Sequence, residues 1–331
     1  MSVAPEAVFI GGCPRSGTTL LASLLGSLPG CVVTPESQFK QSPLRHLHRD
    51  PARPLAGAML QRQWQGHFRF RQWQLPPDAA TFPAQIGPQE LRRVLLDVVQ
   101  RYGARQGNGT VLTTWIDHTP QNIETGRALL QAFPSCRLIH IVRDPRAVAA
   151  SLLPLDWGPM APAGVAALWS HRLAHGLALE QSHGERIRRL SYEQLCRDPD
   201  GVIRELADWL SLPLAAEPGT TSAGAPHPPA IQPVSNFLPA YTRHQHSLIG
   251  CRPQVARIDA WRRELEPWQI QEIEERLEEL MILLGYSLES PAQSPQARPG
   301  PWRRQLLPLL RSIQGRLRHR HRQRRASGKL G

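Results

Sequence analysis

Short, wholly apolar runs alternate along this chain with longer stretches in which apolar residues recur every three or four positions. "AVFIGGC" (7–13) is a run of the first kind, ending in glycine, and predicts a buried strand. "TTLLASLLGSL" follows at once with helical spacing. "GCVVTPE" (30–36) predicts a second strand ending at Glu36. Residues 40–85 are rich in Arg, Gln, Pro, Trp and His and have little period, which predicts an insertion with short helices that covers a site. "PQELRRVLLDVVQRYG" (88–103) predicts an amphipathic helix closed by Gly103. "TVLTTWIDHTP" and "CRLIHIVRDP" predict strands with polar exits, with the helix "NIETGRALLQAFP" between them. Asp144 then stands as N-cap of a helix over 145–153. "PAGVAALWSHRLAHGLALEQS" predicts a helix, "RIRRLSYEQL" a strand, and "PDGVIRELADWLSL" a further helix. The stretch 215–235 is loop-like, and "WQIQEIEERLEELMILLGY" (268–286) predicts an amphipathic helix that closes the domain.

Strands alternating with helices imply an α/β domain with a central parallel sheet and helices on both faces. Ligands of such sheets sit beyond the carboxyl ends of the strands, where the polar residues of this chain cluster.

Composition refines this picture. With 331 residues and 41% hydrophobic content the chain can bury a sizeable core. No run of eighteen apolar residues is present, and the N-terminus lacks the pattern of a secretory signal, so a cytoplasmic protein is expected. The five cysteines are scattered, with no metal spacing, as suits a reducing compartment. The net charge of +12 sits almost wholly after Glu289, where eleven cations and no acid leave +1 for residues 1–289. A specific nucleic-acid binder is therefore not expected. The expected organisation is one domain over 1–289, a Pro-rich linker over 290–301 and a basic tail over 302–331. In the tail Leu306, Leu310, Ile313 and Leu317 share one helical face among arginines. That pattern suits an anionic membrane surface or an acidic polymer, with a merely solvated tail as the alternative. Only Lys40 and Lys329 are lysines.

The chemistry begins at "GGCPRSGTTLL" (11–21). Gly12 and Gly17 carry the spacing of a nucleotide-binding phosphate loop, but Thr18 stands where its lysine belongs and the cation is Arg15. Backbone N–H groups from Arg15 to Thr19 at a helix N-terminus, with the hydroxyls of Ser16, Thr18 and Thr19, make an anion site. Cys13 reads as a small filler at the strand end.

"PRSGTTLL" resembles the 5′-phosphosulfate loop of the PAPS-dependent sulfotransferases (PAPS is 3′-phosphoadenosine 5′-phosphosulfate). Tyrosylprotein sulfotransferases and many bacterial relatives read P-R-S-G-T-T there. The family's second signature, a strand ending in Arg with Ser eight residues on, is matched by Arg143 and Ser151 in "IVRDPRAVAAS". "RLSYEQL" resembles the Tyr-Glu-[Asp/Glu]-Leu segment, which makes Tyr192 a candidate near the nucleotide. The resemblance runs from about residue 7 to 286 and implies a P-loop-like three-layer fold. It implies Arg15, Ser16, Gly17, Thr18 and Thr19 on the 5′ side of PAPS, Arg143 and Ser151 on the 3′-phosphate, and adenosine 3′,5′-bisphosphate as product. A late cation belongs near the nucleotide, with Arg252 and Arg257 as competing candidates. Glu36 stands from Arg15 at the catalytic spacing of the tyrosylprotein enzymes and is the implied general base. Where those enzymes carry a lysine, "WIDHTPQN" has His118, a hydrogen-bond donor, an alternative base, or a residue holding its loop through Asp117.

These assignments describe sulfuryl transfer to an acceptor hydroxyl of a sugar, lipid, peptide or small metabolite, with no metal required, since a fixed cation and backbone donors stabilise the transferring group. Two rivals stand beside it: an ATP-dependent small-molecule kinase of the P-loop class, and a non-catalytic nucleotide-binding module with a basic docking tail. The Trp and His residues of "RQWQGHFRFRQWQ" (62–74) either line the acceptor site or pack the insertion.

Overall fold

A computed structural model describes residues 6–76, 80–106, 113–214, 234–239 and 249–289. The linker 290–301, the basic tail 302–331 and most of the stretch 215–235 lie outside the described residues. The main sheet has five parallel strands, β1 (Ala7–Gly12), β2 (Cys31–Val33), β5 (Thr114–Asp117), β6 (Arg137–Val142) and β7 (Ile187–Ser191), in the order β2-β5-β1-β6-β7. The small strands β3 (Leu55–Ala56) and β4 (Gln85–Ile86) form a separate antiparallel pair.

Alternation along β1 explains the layers. Ala7 and Phe9 join one buried cluster, and Val8 and Ile10 the other. On the Val8 side lie α1 (Thr18–Leu25), α9 (Tyr192–Arg197) and α10 (Pro199–Leu210). On the Phe9 side lie α2 (Gln41–Arg49), α3 (Gly57–Gly66), α5 (Pro88–Arg105) and α6 (Gly126–Ala132), with the single turn α4 (Phe68–Arg71). A third cluster is built from α7 (Pro145–Leu152), α8 (Pro162–His183), α11 (Trp261–Glu264) and α12 (Pro267–Leu283). The three-layer α/β fold expected from the alternation of apolar runs is the one present.

Local chemistry sets the helix starts. Asp144 Oδ1 accepts from Arg146 N–H at 2.8 Å, and Asp198 Oδ1 accepts from Gly201 N–H at 2.9 Å; each aspartate precedes a proline at the first helical position. Two helix ends differ from expectation. Gly103 does not close α5, which runs on to Arg105. The glycine penalty of about 1 kcal/mol is offset where Tyr102 is buried against Trp73 at a ring-centroid distance of 5.4 Å. Helix α12 stops at Leu283, before Gly285, whose φ of 79° turns the chain out of the helix.

The aperiodic stretch 40–85 does contain short helices, but it is also core. Phe39 centres an aromatic cluster with Trp64, Phe70 and Trp73 at 4.9, 5.0 and 5.5 Å. Trp64 and Trp73 are almost wholly buried, so these tryptophans pack the insertion and do not line a surface site.

Candidate functional site

Because the five strands are parallel, their carboxyl ends open on one edge. The chain leaves β1 toward β2 and β5 on one side and later toward β6 and β7 on the other. The exit of β1 is therefore the topological switch point, where open α/β sheets bind ligands. The glycine loop occupies it. Arg15 has φ 71° and Gly17 φ 99°, both left-handed, and these two bends bring the chain round into α1. A β-carbon at Gly17 would lie 2.6 Å from Cδ2 of Tyr192, so the bare backbone is what lets that ring close over the loop. Thr18 and Thr19 open α1 with amides that have no partner inside the helix. Ser16 Oγ is buried with no hydrogen-bond partner among the described residues. Burial pushes the Cys13 thiol up to about 12, which leaves it an inert filler.

The exits of β6 and β7 close on this loop. Arg143 Nη1 donates to the Arg15 carbonyl at 2.9 Å and Nη2 to the Arg257 carbonyl at 3.1 Å. Its guanidinium carbon lies 4.1 Å from the centroid of the Tyr192 ring, a cation–π contact. Arg143 Nε is buried with no hydrogen-bond partner among the described residues. Arg15 Nε donates to Ser151 Oγ, in the last turn of α7, at 2.9 Å. Burial first, and the Arg143 charge second, hold Arg15 below the ordinary arginine value. Two guanidiniums that act on each other electrostatically at a partly buried loop are suited to an anion.

Of the two late cations, only Arg257 comes to this cluster. It bonds Arg143 through its carbonyl, and its side chain reaches Glu264 Oε1 at 2.8 Å. Arg252 instead pairs with Asp200 Oδ2 at 2.6 Å, half-exposed beside the start of α10. The four residues between them lie in a stretch with no hydrophobic period, so spacing alone did not separate the two.

Glu36 lies three residues past β2. Its Oε2 accepts from Gln38 Nε2 at 2.9 Å and faces Arg69 Nη2 at 3.2 Å. Glu36 acts electrostatically on both Arg15 and His118, favouring the charged form of each. His118 is buried, packed edge-on against Phe237 at 5.1 Å, and makes a long 3.5 Å contact from Nδ1 to Thr19 Oγ1. Its Nε2 is buried without a partner among the described residues. Burial holds the ring below the ordinary histidine value, against the pull of Glu36 and Asp117, so it is neutral at neutral pH.

The reading in which Asp117 holds His118 is replaced by a different partner, Lys40. Lys40 Nζ, wholly buried, donates to Asp117 Oδ2 at 2.6 Å, Ser37 Oγ at 2.6 Å and Asn122 Oδ1 at 2.7 Å. Ser37 Oγ also donates to Asp117 Oδ2, and Ser37 N–H donates to Thr119 Oγ1 at 2.8 Å. Asp117 Oδ1 accepts from Thr119 N–H at 2.9 Å and Thr119 Oγ1 at 2.7 Å. Burial draws Lys40 below its ordinary value while Asp117 pulls the other way. Asp117, against the upward push of burial, is held below the usual carboxylate range by Lys40, Ser37 and Thr119. Lys40, Gln38 and Arg69 were given no role from the sequence, and Asp117 was read only as a support for His118. The signal for Lys40 was its identity: one of two lysines in a chain with 39 Lys and Arg.

The edge thus brings together the glycine loop with Arg15, the pair Arg143 and Ser151, and the carboxylate of Glu36 with the buried His118. Among the described residues no group of three or more His, Cys, Asp or Glu side chains is arranged to hold a metal ion, and no helix is long and apolar enough to cross a membrane.

Comparison with known proteins bears on this arrangement. The model of a sulfotransferase family matches residues 5–216. The nodulation protein NoeE of Sinorhizobium fredii (strain NBRC 101917 / NGR234) is 27% identical over 311 residues, covering 86% of this chain and 67% of that protein. Two solved structures share the fold. The sulfotransferase domain of the Synechococcus PCC 7002 olefin synthase is 21% identical at a TM-score of 0.50, over 87% of this chain and 98% of that one. The sulfotransferase domain of the curacin biosynthetic pathway is 20% identical at a TM-score of 0.50, over 87% of this chain and all of that one.

Proposed function

The chain belongs to the sulfotransferase family, and we propose that it transfers the sulfuryl group of PAPS to an acceptor hydroxyl without a metal ion, Glu36 serving as general base. The observation that carries this is the joining of two anion stations by one hydrogen bond, Arg15 Nε to Ser151 Oγ at 2.9 Å. A nucleotide with phosphates at both its 5′ and 3′ positions matches two stations, and one with a 5′ chain alone matches one. Two buried polar atoms, Ser16 Oγ at the first station and Arg143 Nε at the second, lack partners among the described residues, as groups meant for a ligand do.

PAPS, when bound, supplies a sulfuryl group carried on a phosphate leaving group. Arg15 and the amides of Thr18 and Thr19 hold the charge that grows on the leaving oxygen. Arg143 and Ser151 hold the 3′-phosphate, with Arg257 as the late cation. The Tyr192 ring braces Arg143 from one face and closes over Gly17 from the other. Glu36 takes the proton of the acceptor hydroxyl on Oε1, since Oε2 is engaged by Gln38 and Arg69. Neutral His118 offers Nε2 to the group in transit or to the acceptor. The acceptor is a hydroxyl-bearing sugar, lipid, peptide or small metabolite.

Thermal shift with adenosine 3′,5′-bisphosphate against ADP tests the donor assignment. The bisphosphate is expected to raise the melting temperature more than ADP does, and the reverse order would sink the assignment. Incubation with labelled PAPS and a fractionated lysate, followed by mass spectrometry, then identifies what gains the sulfuryl group.

A further inference from the structure

Glu36 and His118 come from different strand exits, and neither bonds the other. What relates them is the buried cluster one residue away from each. Ser37 follows Glu36, and Asp117 precedes His118. Lys40 is bonded to both Ser37 and Asp117, and Ser37 and Thr119 bond across the same gap. Asn122 completes the cluster. It accepts from Lys40 and donates from Nδ2 to the carbonyls of Ile10, in β1, and Asp117, each at 3.1 Å. The exits of β1, β2 and β5 are thereby tied at one point.

The cluster is saturated. A lysine ammonium has three donors, and Asp117, Ser37 and Asn122 use all three. Asp117 accepts from Lys40, Ser37 and twice from Thr119. The ammonium also lies 5.5 Å from the ring centroid of Phe9 and 6.0 Å from that of Trp115, so the sheet floor supports it from below. A planar five-donor guanidinium has no place in a pocket with three converging acceptors. That gives a physical reason for a lysine in a body whose other cations are all arginine. All three donors point into the fold, so Lys40 does not reach the reacting group itself.

Buried ion pairs are poor sources of net stability, because desolvation offsets the attraction. A pair retained here is better explained by geometry. We infer that Lys40 and Asp117 are positioning residues, a clamp that fixes the Glu36 turn against the His118 strand end and so sets the base relative to the phosphate loop. The inference rests on the proposed sulfuryl transfer for its kinetic readout only.

The test is the double variant Lys40→Met, Asp117→Leu, in the full chain, compared with each single change. Each single change strands a buried charge and is expected to lower the melting temperature by about 10 °C. The double change removes both charges, so its melting temperature is expected within about 4 °C of wild type. If the pair is a clamp, kcat stays down by about 100-fold in the double variant, while affinity for adenosine 3′,5′-bisphosphate stays within about twofold. Hydrogen exchange of the segment 34–38 rises at the same time. Recovery of kcat together with the melting temperature, or unchanged exchange at 34–38, would overturn the inference. Should the double variant fail to fold, Ser37→Ala removes the bridging hydroxyl and leaves the ion pair. Its kcat is expected to fall about tenfold, with a loss in melting temperature smaller than that of either charge change, since one donor of the buried ammonium loses its partner; wild-type turnover there would also overturn the clamp. If wild-type protein transfers nothing from PAPS, the sulfotransferase assignment fails. The exchange arm then decides the clamp alone, with a rise in the double variant supporting it and no rise overturning it.

Discussion

Arg15 and Ser151 are 136 residues apart in the chain and 2.9 Å apart in the fold, Arg15 Nε donating to Ser151 Oγ. The bond joins the phosphate loop to the last turn of α7. A hydrogen bond from a charged donor, here partly buried, is worth about 1.5–3 kcal/mol. Ser151→Ala is expected to weaken adenosine 3′,5′-bisphosphate binding at least tenfold, since about 1.4 kcal/mol corresponds to a factor of ten. Titration calorimetry measures it, and unchanged affinity would remove Ser151 from the nucleotide site.

Gly17 and Tyr192 define a second dependence. With φ at 99° and the ring 2.6 Å from any added β-carbon, Gly17→Ala combines backbone strain with a clash. The expected loss is about 2 kcal/mol of stability, together with the loss of nucleotide binding. Tyr192→Phe keeps the ring under Arg143 and is expected to bind nucleotide within about twofold of wild type. Urea unfolding and calorimetry on the two variants check both; a Gly17→Ala protein of wild-type stability would show that the loop can bend another way.

The strand exits were legible because their signals are local. A wholly apolar run ending in Gly, followed at once by a helical period, marks β1, the loop and α1 from neighbouring residues alone. Asp144 before Pro145 announces its own cap. Lys40 has no such signal. Its partner Asn122 lies 82 residues on, and its own segment has no period. Arg69 reaches Glu36 only because Phe39, Phe70 and Trp73 pack together, a matter of tertiary structure. The closing glycine of α5 failed for the same reason, since packing around Tyr102 outweighs a local propensity.

Arg257 and Arg252 separate by environment, and their variants are expected to separate as well. Arg257 lies within electrostatic reach of Arg15 and Tyr192, while Arg252 is engaged with Asp200. Arg257→Ala is expected to weaken bisphosphate binding about fivefold at low salt and less at high salt, and Arg252→Ala to stay within about twofold. The opposite ranking would return the late cation to Arg252.

His118 predicts a pH dependence of stability. Its folded pKa is held below the ordinary 6.5 by burial. On acidification the unfolded chain therefore takes up the proton first. The stability this neutral ring permits is complete above about pH 6.5 and declines as pH falls below it. His67 and His175 shift the same way, so the comparison must be with His118→Gln. The variant is expected to show a shallower fall in melting temperature between pH 6.5 and 5. An identical slope would mean that His118 is not a buried neutral histidine.

Glu36 is the strictest test of the chemistry, and its neighbours say how to read it. Gln38 and Arg69 both address Oε2, which turns the carboxylate and leaves Oε1 for the acceptor. Glu36→Gln preserves shape and removes basicity. Transfer from PAPS is expected to fall by about 1,000-fold, within the range that general bases contribute, with bisphosphate affinity within about twofold. Arg69→Ala leaves the base but loosens its orientation. The Arg69–Glu36 pair is partly exposed, so little stability is lost, and kcat is expected to fall about tenfold. If Glu36→Gln retains wild-type turnover, the proton goes elsewhere, and His118 Nε2, buried without a partner among the described residues, takes its place. A His118→Gln protein that is inactive while Glu36→Gln is not would establish that exchange of roles.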